Sequence, residues 1–172
     1  EIASCLVGSE MCIRDSPYDA VFEMDCDFSH NPDDLLRLTA ELEAGADVAV
    51  GSRYSKGVTV VNWPMSRLLM SYCASRYVRI VTGMPVCDAT AGFVGYKREV
   101  LAAIDFDRIE MVGYGFQIEM KYTAWKMGFR IGEVPIIFAD RTEGTSKMSG
   151  GIFGEAFFGV LALPFRTIAR KK

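Results

Sequence analysis

Along this chain the apolar positions switch between the period of a strand and the period of a helix, and the switches mark out short strands between longer helices. Residues 20–24 (AVFEM) are a short apolar run stopped by Asp25, the pattern of a buried parallel strand whose C-terminal end opens onto a site. A helix is expected over 32–44, with Asn31 as N-cap, Pro32 at the first helical position, Asp33 and Asp34 set against the helix dipole, and Gly45 as the stop. A strand over 46–50 follows, which completes a βαβ unit with its right-handed crossover.

A glycine-containing loop over 52–62 leads to a second helix over 64–82, closed by Gly83, with Leu68, Leu69, Tyr72, Val78 and Val81 forming a broad apolar face. The pattern then predicts a strand over 92–96, a short helix over 98–104 and a longer one over 116–127 stopped by Gly128. A strand over 131–138 carries Pro135, which marks an edge or a bulge. Residues 140–151 form a loop rich in Gly, Ser and Thr, and 152–169 a last amphipathic helix kinked at Pro164. The fold class is α/β.

Composition narrows the partners. A chain of 172 residues that is 50% hydrophobic and 12% aromatic can bury one full core. A net charge of -3 excludes the basic stripe of a nucleic-acid binder. Cys5, Cys12, Cys26, Cys73 and Cys87 contain no Cys-x-x-Cys pair, which favours reduced thiols in a cytoplasmic setting over a disulfide framework or a zinc site. His30, the single histidine, excludes a multi-histidine metal centre and is expected at the surface, capping the first helix. The longest apolar run covers 156–165, well short of the ~20 residues that span a bilayer, so no transmembrane helix is expected. Residues 1–16 fit neither period and have the look of translated adapter sequence; on that reading the native start is missing, 17–151 is a partial catalytic domain and 152–172 a C-terminal amphipathic basic helix.

The candidate chemistry is acidic and cationic. Asp25 and Asp27 follow a buried strand, where a turn can bring both carboxylates to one Mg²⁺ or Mn²⁺, or can simply end the strand. Arg53 follows the second strand at the same edge, where ligands bind in open α/β sheets. Arg67 on the second helix is open to a phosphate-binding or an ion-pair reading. Asp88 precedes a strand in which Gly92 permits close backbone approach, and could instead cap the turn at Thr90. Gln117 and Glu119 lie two apart near the start of a helix and so point to different sectors. Arg141 and Lys147, separated by Gly and small hydroxyl residues including Ser146, suit a loop that closes over phosphate groups. Arg166, Arg170, Lys171 and Lys172 beside Phe157, Phe158, Val160, Leu161, Leu163 and Phe165 suit an interfacial helix on anionic lipid, or equally a helix packed into the core.

Taken in order, MDCDFSHNPDDL, VGSRY, NWPMSR, DATAGFVGY, GYGFQIEM and EVPIIFADRTEGTSKMS resemble the dolichol-phosphate mannose synthases, or polyprenol monophosphomannose synthases, of the family 2 glycosyltransferases. The resemblance implies a GT-A fold, a Rossmann-like, mostly parallel mixed sheet flanked by helices, and a site that joins a nucleotide sugar, GDP-mannose, to a polyprenyl phosphate at the cytoplasmic face of a membrane. It implies that Asp25 and Asp27 hold Mg²⁺ or Mn²⁺ on the diphosphate, with Ser29 in the place of a third ligand, where it is a weak one. Arg53, and less strongly Arg67, would hold phosphate. Gln117 and Glu119 would border the acceptor, Glu119 as a base or, by preference, as the group that orients an arginine. Arg141, Ser146 and Lys147 would close over the reacting phosphates, and Asp88 would stand beside the nucleotide.

Overall fold

The computed structural model describes residues 19–140 and 150–171. Strands β1 (Ala20–Glu23), β2 (Val48–Ser52), β4 (Val94–Lys97) and β5 (Ile131–Pro135) form one sheet in the order β1-β4-β2-β5. Strands β2 and β5 pair in parallel, whereas β4 runs antiparallel to both β1 and β2 and lies between them. The expected βαβ unit is therefore present with a strand inserted at its centre. A second, two-stranded parallel sheet joins β3 (Val60–Val61) to β6 (Phe138–Ala139). The segment expected as one strand over 131–138 thus breaks after Pro135, which has no N–H for a continuing ladder, and its last residues join the smaller sheet.

Helices cover both faces of the larger sheet. Helix α1 (Asp34–Glu43) places Leu38 and Leu42 against Ala49, Phe93, Val134 and Ile136 on one face. On the other, Val48, Val50, Val94 and Tyr96 meet α3 (Arg98–Ala103) and α4 (Tyr114–Lys126) through Val100, Leu101, Met120 and Ala124. The alternation of Val48, Ala49 and Val50 between these two layers explains why β2 is buried at every position. Each fully buried Val, Leu or Phe in such layers contributes roughly 1.5–3 kcal/mol.

Helix α2 (Met65–Thr82) packs through Val78 against Tyr122 of α4 and against Val160 of α5 (Gly150–Ala162). It ends at Gly83, whose φ of 72° would strain any other residue and whose N–H returns to the Arg79 carbonyl. The broad face expected for this helix is really two stripes. Val78 is buried, but Leu69 and Tyr72 are exposed together with Met65 and Ile80. Helix α5 stops at Ala162 and gives way to a 3-10 turn over Leu163–Phe165, so Pro164 ends the helix instead of kinking it. Helix α1 begins two residues later than expected, because the side-chain oxygen of Asn31 accepts the Asp33 N–H and its carbonyl the Asp34 N–H, making a turn of 31–33.

Candidate active site

Strand directions bring the chemistry to one edge of the sheet. β1 ends at Glu23 beside Val94, where antiparallel β4 begins, and β2 ends at Ser52 beside Pro135 of β5. The segments that leave or enter at this edge carry Asp25 and Asp27, Arg53, Asp88 to Gly92, and Asp140.

Asp25 presents an exposed carboxylate, and a Cβ built on Gly92 stands 3.7 Å from its Oδ2, so the segment after Asp88 passes directly beside it. Asp27 is held differently. Its Oδ1 accepts the backbone N–H of Ser29 at 3.1 Å and the Ser29 hydroxyl at 2.5 Å, in a turn that places Phe28 at a φ of 62°. Ser29 is buried, and its hydroxyl orients the Asp27 carboxylate. The same turn brings His30 inward, against the expectation of a surface residue: it is 8% exposed, with its ring against Phe93 and Phe138 at centroid separations of 5.0 and 4.9 Å. The Ser29 carbonyl accepts the Ala139 N–H, which ties this turn to β6.

Arg53 is buried in an ion pair. Its Nε and Nη2 donate to the two oxygens of Asp88 at 2.7 and 2.6 Å, its backbone N–H donates to Asp88 at 2.9 Å, and Nη2 also reaches the Thr90 hydroxyl at 2.9 Å. Burial works against the guanidinium charge, but the hydrogen bonds and charge of Asp88 outweigh it and hold the pKa above its ordinary value. Asp88 is itself aimed by Glu133 of β5, whose carboxylate accepts the backbone N–H groups of Cys87 and Asp88. Arg67 is more open. It donates to Asp140 at 2.7 Å and lies 4.0 Å over the Trp63 ring, at the entry to the segment that carries Arg141, Ser146 and Lys147. Those three residues, like the boundary at residue 17, lie outside the described residues.

Helix α4 supplies the floor. Residues 117–124 are buried all round, so its polar side chains must find partners inside. Burial holds the carboxyl of Glu23 above the ordinary carboxylate range, while Gln117 and Lys121 pull it back. Glu119 turns the other way: it accepts the N–H groups of Glu110 and Met111 and lies 3.8 Å from Arg166, which also pairs with Glu110. Lys121, absent from the expectations, is fully buried and donates to the carbonyls of Ala89, Ala91 and Gln117. Burial pushes its pKa down to about 7. Its signal was its spacing, four residues after Gln117 and hence on the same helical face.

A divalent cation suits the donors at this edge. Asp25 and Asp27 offer hard carboxylate oxygens, one already oriented by Ser29, and the remaining positions would fall to water and phosphate oxygens. Among the described residues no three His, Cys, Asp or Glu side chains converge as a closed metal cage. Nor is any described helix long and apolar enough to cross a membrane.

The model of the family described as "Glycosyl transferase family 2" matches residues 10–105. The chain is 46% identical over 158 residues to a polyprenol monophosphomannose synthase of Mycolicibacterium smegmatis, covering 92% of this chain and 59% of that protein. It is 48% identical over 143 residues to an undecaprenyl-phosphate mannosyltransferase of Micrococcus luteus, covering 83% and 58%. A dolichol-phosphate mannosyltransferase of Pyrococcus furiosus is 32% identical over 139 residues, 80% of this chain and 38% of that protein. The chain thus spans under two thirds of the length of these relatives. With its carboxylate pair at the edge of a mixed α/β sheet, the chain belongs to glycosyl transferase family 2.

Proposed function

We propose that the protein transfers mannose, with inversion, from a nucleoside diphosphate sugar, GDP-mannose, to a polyprenyl or dolichyl phosphate, giving polyprenyl phosphate β-mannose and the nucleoside diphosphate. The observation that carries the reading is the gathering of Asp25 and Asp27 with the Asp88–Gly92 segment and Arg67 at one sheet edge, in a chain whose relatives are named for mannosyl transfer to polyprenyl phosphates.

A lipid phosphate has a second pKa near ~6, so at neutral pH its oxygen is already an anionic nucleophile and needs no strong base. An oxygen of the lipid phosphate bonds to the sugar's anomeric carbon as the bond from that carbon to the diphosphate breaks, and the electron pair leaves with the diphosphate. The work of the protein is to hold two anions against one carbon. Asp25 and Asp27 hold Mg²⁺ or Mn²⁺, which when bound neutralises charge on the departing diphosphate. Arg67 would bind phosphate, the role proposed also for Arg141, Ser146 and Lys147, with Arg53 and Asp88 keeping the segment beside Asp25 in place.

The lipid side of the reading rests on exposed apolar surface. Helix α2 presents Met65, Leu69, Tyr72 and Ile80 in one stripe, and the end of α5 presents Phe157, Phe158, Leu161 and Phe165 while Val160 and Leu163 fill the core. Stacking of Tyr77 on Phe157 at 4.7 Å joins the two helices. Such a surface, with Arg166 beside Phe158, fits peripheral contact with the cytoplasmic face of a membrane. Flotation of the protein with anionic vesicles tests this: Phe158→Ser with Phe165→Ser should leave it in the soluble fraction, and undiminished flotation would remove the membrane role from this surface.

Glucosyl transfer to the same lipid is the competing reading. Titration with Mn²⁺ and GDP-mannose, UDP-glucose or GDP-glucose separates the two, because the proposal requires selective binding of GDP-mannose.

A further inference from the structure

The single histidine is the least satisfied polar group at the site. The His30 side chain is 3% exposed, walled by Phe93 and Phe138, and neither ring nitrogen has a hydrogen-bond partner among the described residues. An orphaned buried polar group costs about 1–3 kcal/mol, and a phenyl ring would fill this aromatic slot without that cost. Stability does not explain a histidine here. Its Nε2 lies 3.8 Å from Oδ2 of Asp25, whose side chain is 62% exposed and, among the described residues, has no comparable anchor to the one Ser29 gives Asp27. Asp25 therefore needs an orienting donor, and His30 has a donor without an acceptor.

We propose that His30 is the positioning residue for Asp25: as the carboxylate is drawn inward by a divalent cation, Nε2–H of His30 donates to Oδ2 and leaves the other oxygen directed at the ion. A shift of roughly 1 Å closes the present separation to hydrogen-bond length. The ring need not move, because Phe93 and Phe138 hold it on two sides. The two carboxylates then have matched supports from consecutive residues of one turn, Ser29 behind Asp27 and His30 behind Asp25. Outer supports of this kind govern metal affinity because they fix which lone pair faces the ion.

The inference rests on the cation reading of Asp25 and Asp27, and the test separates the two. Binding of Mn²⁺ in the presence of inorganic diphosphate is followed by loss of the free-ion EPR signal for the unaltered chain, Asp25→Asn, His30→Phe and His30→Gln. Thermal unfolding is recorded for each. Asp25→Asn should abolish binding. His30→Phe should weaken it about tenfold or more, the usual effect of losing such a support, with a Tm equal to or above that of the parent. His30→Gln, whose amide keeps a donor near the Nε2 position, should recover part of the affinity. Parental affinity in His30→Phe, with Asp25→Asn inactive in binding, overturns the role of His30 and leaves the metal site standing. Undiminished binding in Asp25→Asn removes the metal site and this inference together. A lower Tm in His30→Phe makes the histidine a core-stabilising residue and overturns the proposal. So does nitrogen hyperfine coupling to the bound Mn²⁺, which would make His30 a direct ligand.

Discussion

Removing the Asp88 carboxylate should separate two arginines that look alike in the sequence. Asp88 has no exposed surface and accepts three N–H groups of Arg53, one from the backbone and two from the guanidinium, all within 2.6–2.9 Å. Asp88→Ala leaves a guanidinium that is only 7% exposed without its counter-charge. Breaking a buried pair from one side costs about 3–5 kcal/mol. At about 2–4 °C per kcal/mol for a chain of this size, the Tm should fall by roughly 6–20 °C. The pair between Arg67 and Asp140 has side chains 27% and 32% exposed, so a double-mutant cycle of Arg67→Ala and Asp140→Ala should give this pair no more than about 1 kcal/mol. Urea titration followed by tryptophan fluorescence gives both values, and Trp63, with Arg53 5.5 Å from its ring, reports on this region directly. Arg53→Met combined with Asp88→Leu should recover much of the loss, since an apolar pair removes the stranded charge. The reasoning fails if Asp88→Ala unfolds within about 1 kcal/mol of the parent or if the coupling between Arg67 and Asp140 is as large as the loss in Asp88→Ala.

Asp25→Ala and Asp27→Ala should each lower metal-dependent transfer about a hundredfold or more in the full-length protein, and near-normal turnover in both would remove the carboxylate pair from the mechanism. Arg141→Ala and Lys147→Ala should reduce kcat far more than they raise KM for the nucleotide sugar, because contacts made only as the reacting anions meet act on turnover; a change confined to KM would contradict this. Lys121 sets a pH dependence. Its folded pKa of about 7 lies below the ordinary lysine value of 10.5, so between those limits the unfolded chain binds the extra proton and stability rises with pH. That contribution is complete above 10.5 and lost as pH falls through about 7. Subtracting the urea midpoints of Lys121→Met from those of the parent should show this rise across the window, and a flat difference would contradict it.

Most of the framework was legible because its signals are local. Gly83 after a long helix and Pro135 in a strand each carry a backbone rule that tertiary contacts did not override, whereas the run before Asp25 is a strand, but a half-buried one paired antiparallel to β4 instead of a buried parallel one. The antiparallel insertion of β4 was not legible, since a buried strand of either direction is apolar. Helix α2 misled for a related reason: its outer stripe is as apolar as its inner one, and periodicity alone cannot tell a core from a face that meets lipid or a partner. Within the site, residue types and their sheet edge were readable from motif order, but pairings were not. Arg53 and Asp88 are 35 residues apart and Glu133 is 45 beyond Asp88, so their network exists only once the sheet has formed. His30 went the other way, since polar character suggested the surface while a turn set by Asp27, Phe28 and Ser29 carried it into the aromatic layer.

The measurement closest to the central claim is transfer of radiolabelled sugar into the organic phase by the full-length protein, with polyprenyl phosphate as acceptor, Mn²⁺ or Mg²⁺ supplied, and GDP-mannose, GDP-glucose and UDP-glucose as parallel donors. The account predicts acid-labile polyprenyl phosphate mannose from GDP-mannose alone, formed only with the metal and lost in Asp25→Ala. Label transferred from a glucose donor in preference, or the same yield in the presence of a chelator, would contradict it.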